Sequence, residues 1–213
     1  MTLMQRLKQE EFKSVLYNGT PTQIQDMLSH GAMPDLAYAE LHGNTPIHLA
    51  AYNKWPDNLK ILLDSLKKEP ERLKRALEAT NDNGVTPLFE AIWVGRPPYD
   101  FAKTKPSEKD LIAFKEAFYT RMENMPRTVQ ILLNAGANAN SLQRAYPAGH
   151  DEFGKKIGRS YTTIEWLRKQ LSWQDKNPDE KDPKVRDALE KSLKIINQHS
   201  QQKILKRRDN QNA

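Results

Sequence analysis

The chain has 213 residues, of which 38% are hydrophobic and 28% are charged, and its formal net charge is +6. This composition can build a thin hydrophobic core, and the balance of charges excludes a disordered polyelectrolyte. The sequence has no cysteine, which excludes disulfide frameworks, thiolate zinc sites and cysteine nucleophiles. It also has no run of about 18 apolar residues and no signal peptide of the usual kind. We therefore expect a cytoplasmic protein without membrane insertion.

Two short stretches of the sequence are similar to one another. Residues 43–51 read GNTPIHLAA, and residues 84–92 read GVTPLFEAI. Thr can accept hydrogen bonds from the free N–H groups of a first helical turn, and Pro at the first helical position loses no bond. The preceding Gly permits a tight turn. Each stretch therefore predicts the start of a helix, whose small Ala residues let a neighbouring helix approach closely.

A second helix is predicted after each of these starts. The sequences LKILLDS from Leu59 and VQILLNAGANAN from Val129 to Asn140 both carry paired leucines on one face. Together these motifs resemble the ankyrin repeat, whose pattern runs Gly-x-Thr-Pro-Leu-His-x-Ala-Ala, then a second helix with a Leu-Leu pair, then Gly-Ala-Asn/Asp-x-Asn. The resemblance implies an all-α solenoid of about four repeats that binds a protein and needs no cofactor.

The repeat register extends towards both ends of the sequence. Counting back from Gly31 indicates a degenerate first repeat with Glu10 in the Thr position. The sequence TTIEWL at residues 162–167 resembles the start of a fourth repeat, and apolar residues at helical spacing predict a final helix from Pro183. The predicted repeats are about 10–34, 35–77, 78–140 and 141–200, within an ankyrin-repeat domain of residues 1–200.

The third repeat carries the largest of three insertions, at about residues 96–125. Ser107 and Asp110 fit the positions of a capping box. We predict an extra amphipathic helix over residues 107–125 that ends at Pro126. We expect its apolar stripe to pack against the repeats. The alternative is that a helix or groove of a partner buries the stripe. The stripe consists of Leu111, Phe114, Phe118, Met122 and Met125.

The resemblance also implies where a partner would bind. Ankyrin repeats recognise partners with their turn tips and with exposed positions on the first helix of each repeat, which together line a concave face. Aromatic residues there are usual anchors of binding energy, although the same residues stacked between repeats would instead be core. The matching positions are Tyr17, Tyr52, Trp93 and Lys169 in one helix column, Asn18, Asn53 and Val94 in the next, and His42, Asn44, Asn83, Val85 and Tyr161 at turn tips.

The sequence carries no recognisable catalytic or metal-binding motif. It lacks a phosphate-binding Gly-rich loop, an HExxH pair, a GxSxG elbow and a kinase signature. His48 occupies the His position of the ankyrin pattern, which implies a turn-bridging structural role rather than a metal ligand. The adjacent residues His150, Asp151 and Glu152 cannot easily converge on one ion, so we interpret them as a solvated loop. We therefore predict no enzyme activity, no metal and no cofactor.

Residues 201–213 are predicted to form a flexible basic tail. The charges from Lys203 to Arg208 leave a nuclear location or a nucleic-acid or acidic partner as an alternative, which steep salt dependence of binding would favour. Two further alternatives are an enzyme with a site in the inserted regions and a bacterial effector that acts in a host cell through ankyrin-mediated binding. We favour a monomeric module that binds a protein and disfavour nucleic acid.

Overall fold

The computed structural model describes residues 3–38, 41–94, 107–141, 143–144, 160–177 and 182–211. Within these ranges the chain forms helices and one pair of short antiparallel strands. The strands are β1 (Gln143–Arg144) and β2 (Ser160–Tyr161), with Gln143 opposite Tyr161. The helices are α1 (Leu3–Asn18), α2 (Pro21–Ser29), α3 (Pro46–Tyr52), α4 (Pro56–Ser65), α5 (Pro70–Glu78), α6 (Pro87–Ala91), α7 (Glu108–Asn134), α8 (Thr163–Lys176) and α9 (Pro183–Gln211).

Several helices begin at residues that cap the free N–H groups of the first turn. In a capping box the side chain of the cap accepts a hydrogen bond from the backbone N–H three residues later, and the side chain of that later residue reaches back. The structure confirms the caps predicted at Thr45 and Ser107. The boxes join Thr20 to Gln23, Thr45 to His48, Ser107 to Asp110 and Thr162 to Glu165.

The two matching glycines hold the turns that precede α3 and α6. Gly43 and Gly84 have φ values of +69° and +72°, a left-handed conformation that glycine adopts without steric cost. A Cβ atom added to Gly43 would lie 2.6 Å from Oδ1 of Asp82. The turn of one helix pair therefore packs closely against the turn of the next.

The helices stack as successive pairs. The first helices α1, α3 and α6 lie side by side, and the second helices α2, α4 and α7 form a parallel row behind them. Helices α8 and α9 form a fourth pair, and the short α5 lies between the second and third pairs, where the sequence has a small insertion. The predicted leucine pairs of the second helices are buried between the rows, namely Leu62 and Leu63 in α4 and Leu132 and Leu133 in α7.

Helix α7 corrects the prediction that the inserted helix ends at Pro126. The structure has one helix from Glu108 to Asn134 with Pro126 inside it. An internal proline costs roughly 3 kcal/mol, because one backbone hydrogen bond is lost and the ring crowds the preceding turn. Here the helix buries Met122, Met125 and Val129 on both sides of the proline. That burial offsets the cost, so the insertion lengthens the second helix of the third pair.

The apolar stripe of the insertion is covered over its C-terminal half. Phe118, Met122 and Met125 are buried, whereas Phe114 is exposed and Leu111 is half-buried. Helix α7 packs extensively against α9. The expected packing against the helix stack is therefore confirmed for the half of α7 that adjoins the leucine pair.

The segment predicted as a tail begins within helix α9, which continues to Gln211. The predicted domain boundary at residue 200 therefore lies inside a helix, and residues 201–205 are exposed. The flexibility of this segment stays a prediction. The loop with His150, Asp151 and Glu152 lies outside the described residues, and no helix in the described ranges is long and apolar enough to cross a membrane.

Candidate functional site

A cavity of about 380 Å³ opens between the first three helix pairs. Its walls come from α1, α3 and α6 and from the two turns that precede α3 and α6. The lining residues are Tyr17 from α1, Leu41, His42 and Asn44 from the first turn, Leu49, Tyr52 and Asn53 from α3 and its end, Asn83 and Val85 from the second turn, and Phe89, Glu90 and Trp93 from α6 and its end.

The cavity brings together most of the predicted binding positions. Asn18, Val94, Tyr161 and Lys169 do not line it. The last two contact one another, since Nζ of Lys169 donates a hydrogen bond of 3.0 Å to the hydroxyl of Tyr161. Tyr161 and Lys169 belong to the start of the fourth pair, beyond the cavity. The predicted positions that line the cavity are Tyr17, His42, Asn44, Tyr52, Asn53, Asn83, Val85 and Trp93.

The predicted aromatic column divides between surface and core. Tyr17 and Tyr52 are 42% and 38% exposed. Trp93 is half-buried, because its ring stacks on that of Trp166 with centroids 5.4 Å apart and planes 13° apart. The two tyrosines thus present rings to solvent at the cavity, while Trp93 also joins the third helix pair to the fourth.

Val85, a predicted contact position, lines the cavity although its side chain is buried. Its carbonyl oxygen lies 3.1 Å from Nε2 of His48, across the boundary between two helix pairs. Nδ1 of His48 lies 2.9 Å from Oγ1 of Thr45. Burial lowers the pKa of His48 to about 4, which keeps the imidazole neutral at neutral pH. The turn-bridging role predicted for His48 is confirmed.

Sequence reasoning missed Glu90, which lines the cavity although it is only 8% exposed. Its Oε1 accepts a hydrogen bond of 2.9 Å from Nδ2 of Asn81, and the same amide nitrogen donates to Oδ1 of Asn44 at 2.8 Å. Burial is the main cause that raises the pKa of Glu90. The available signal was its alignment: Glu90 matches Leu49 in the other motif, where an apolar residue fills the same position.

A buried lysine ties the second helix pair to the third behind the cavity. Lys54 is 2% exposed, and its Nζ donates to the carbonyl oxygens of Tyr52, Trp93 and Glu90 at 2.8, 2.6 and 3.4 Å. These carbonyls lie at or near the C-terminal ends of α3 and α6, where a cation is favourable. The lysine fixes the spacing of two helices that form cavity walls.

Burial makes the stability of the protein depend on the protonation of Lys54. Burial, with a further contribution from the positive charge of Arg121, lowers the pKa of Lys54 from 10.5 to about 7. Between these values the unfolded chain binds more protons than the folded chain, so the free energy of unfolding rises with pH. The stability gained by deprotonation of Lys54 is complete above the pKa that Lys54 has in the unfolded chain. It is lost as pH falls through the pKa that Lys54 has in the folded protein.

We expect wild type to gain about 1 to 4 kcal/mol of stability relative to Lys54→Met as pH is raised from 7 to 10. Urea unfolding of both proteins at several pH values measures the difference. Lys74→Met on α5 is the control, because Lys74 is exposed and its substitution should leave the difference from wild type constant. A pH-independent difference for Lys54→Met would contradict the depressed pKa.

The geometry defines a repeat solenoid of helix pairs with a concavity along its row of first helices. Residues 42–70 match the family model of the ankyrin repeat, and this segment holds the first turn of the cavity, α3 and α4. The chain thus contains an ankyrin repeat within an all-α repeat fold, and the match suggests a protein-interaction module. No curated protein matches the chain. Among the described residues, no group of three or more His, Asp or Glu side chains is placed to hold a metal ion.

Proposed function

We propose that the chain is a non-catalytic interaction module whose protein partner docks at the cavity between the first three helix pairs. The observation that carries this proposal is that residues from three successive repeats meet at the same cavity. The ankyrin pattern implies contact positions separately in three repeats, and most of these residues line one cavity, which supports the proposal. Scattered positions would have offered a partner no common surface.

The chemistry of the cavity suits a protein ligand. The tyrosine rings of Tyr17 and Tyr52 supply large rigid surfaces, which are the usual anchors of protein interfaces. Leu41, Leu49 and Phe89 add apolar lining, and the rim carries the amides of Asn44, Asn53 and Asn83. Apolar walls with a few placed polar groups are typical of binding sites.

The walls of the cavity are held in place before any partner arrives. Nδ2 of Asn53 donates to the carbonyl of Leu49 at 3.0 Å, and Oδ1 of Asn81 accepts hydrogen bonds from the backbone N–H groups of Asn83 and Val85 at 3.0 and 3.2 Å. Together with the bonds of Lys54, these contacts fix one helix and one turn. A preformed site loses less conformational entropy on binding, which favours affinity.

We expect Tyr52→Ala to weaken partner binding by about 1 to 4 kcal/mol, as truncation of an aromatic anchor does. The partner is captured from a cell lysate on the wild-type chain, identified by mass spectrometry, purified, and titrated calorimetrically against both proteins. Since Tyr52 is exposed, the substitution should leave the melting temperature nearly unchanged.

The matched control is Trp173→Ala on α8, where an aromatic ring is 49% exposed outside the cavity. Its affinity for the partner should equal that of wild type. If Tyr52→Ala and wild type bind the partner with equal affinity, the cavity is not part of the interface.

A further inference from the structure

Glu90 is a carboxylate that the fold buries at the wall of the cavity. It lies in α6, and the described part of the chain provides a hydrogen bond from Asn81 but no salt bridge. Burial of a carboxylate is expensive unless a cation or several hydrogen bonds compensate it. A carboxylate without a salt bridge, in a wall made largely of apolar and aromatic groups, therefore points to a ligand that can pair with it directly.

Burial raises the pKa of Glu90 and the charge of Lys54 opposes that rise, but Lys54 makes no salt bridge with the carboxylate. Lys54 donates to the backbone carbonyl of Glu90, and its two shorter bonds go to the carbonyls of Tyr52 and Trp93. An ammonium group has three N–H donors, so these carbonyls occupy all of them. Lys54 therefore bonds to the backbone of Glu90 and not to its carboxylate.

The other lining residues favour a cation over an anion or a neutral group. Tyr52 and Trp93 line the same cavity as Glu90, and aromatic faces attract ammonium and guanidinium groups. None of the lining residues, all of which the structure describes, is Lys or Arg. An anion would be repelled by Glu90, and a neutral group would leave the carboxylate more deeply buried and still unpaired.

We propose that the cavity receives a lysine or arginine side chain of the partner, whose charged end pairs with the carboxylate of Glu90 while its aliphatic stem lies along Tyr52 and Trp93. This inference rests on the proposed function, because it names the chemistry of the group that the docking site takes. The volume of about 380 Å³ lies at the lower end of the range of roughly 300–1,000 Å³ for small-ligand sites, which fits one long side chain. The raised pKa of Glu90 should fall when the cation binds.

The test uses small cations that mimic the two side chains. n-Butylammonium and n-butylguanidinium chlorides are titrated into the wild-type protein, with n-pentanol as an uncharged probe of similar size. Binding is followed by the NMR shift of the Trp93 indole N–H, assigned by comparison with Trp93→Phe. We expect saturable shifts with at least one cation and about tenfold weaker binding of n-pentanol, because the pair with Glu90 is a charge-assisted contact. Added salt should weaken cation binding.

The variant Glu90→Gln keeps the shape of the side chain and removes its charge. We expect it to bind the cations about tenfold more weakly than wild type, whereas the control Glu116→Gln, at an exposed position on α7, should bind like wild type. Equal binding of n-pentanol and the cations, the absence of a saturable shift, or unchanged cation binding by a folded Glu90→Gln would each overturn the proposal. The comparison of charged and neutral probes on wild type stands even where Glu90→Gln does not fold.

The captured partner separates this inference from the proposed function. Loss of partner binding in both Tyr52→Ala and Glu90→Gln supports both proposals. Loss in Tyr52→Ala alone leaves the docking site intact and overturns the cationic side chain. Unchanged binding in both variants overturns both proposals together.

Discussion

Leu132→Asp is expected to unfold most of the protein. Leu132 is fully buried in α7, which packs against α4, α6 and α9. Burial of an unpaired carboxylate there costs several kcal/mol, a large share of the roughly 5–15 kcal/mol by which a domain of this kind is stable. Circular dichroism during thermal unfolding measures the effect, and a greatly lowered melting temperature or a chain unfolded at 25 °C is the expected result.

The control for this substitution lies on the same helix. Ile112 is 52% exposed in α7, so Ile112→Asp introduces the same charge at a solvated position and should change stability by about 0.5 kcal/mol or less. A melting temperature of Leu132→Asp equal to that of wild type would show that the second helix of the third pair is not core.

Phe118→Ala is expected to destabilise the protein by about 3–5 kcal/mol, the usual cost of removing a buried phenyl ring. Phe118 belongs to the inserted half of α7 and is buried, and nearby Tyr119 donates a hydrogen bond of 2.8 Å to Asp182 immediately before α9. Urea unfolding should show one cooperative transition at a lower midpoint, because α7 and α9 share one core.

Phe114→Ala makes the same chemical change one turn earlier in α7, where the ring is exposed, and should cost less than about 1 kcal/mol. Equal effects of the two substitutions would mean that the insertion does not contribute to the core.

Local signals in the sequence predicted much of the repeat architecture. Thr45 and Ser107 act as caps because their hydrogen bonds are made within one helical turn. Gly43 and Gly84 have the turn conformation that their motifs require. Counting from these fixed points also placed Tyr17, Tyr52 and Trp93 around one cavity, because the repeat period sets which positions face it.

The features that sequence reasoning missed depend on distant partners. Helix α7 continues through Pro126 because tertiary packing offsets the proline, and the local sequence carries no record of that packing. The burial of Lys54 depends on carbonyl groups in the following repeat. In the sequence alone, Glu90 resembles an ordinary exposed residue of an amphipathic helix. Its position beside aromatic rings is apparent only in the fold.

The pairing of α7 with α9 has a consequence for synthesis on the ribosome. The bonds that join Tyr119 to Asp182 and Glu123 to Lys184 span 63 and 61 residues. At about 5–20 residues per second, synthesis of the chain between these partners takes roughly 3 to 12 s, and the apolar face of α7 lacks α9 during that time. The first two helix pairs already have neighbours on which to stack. The N-terminal repeats can therefore form before α9 is synthesised, whereas the α7 face stays accessible to a nascent-chain chaperone during this interval.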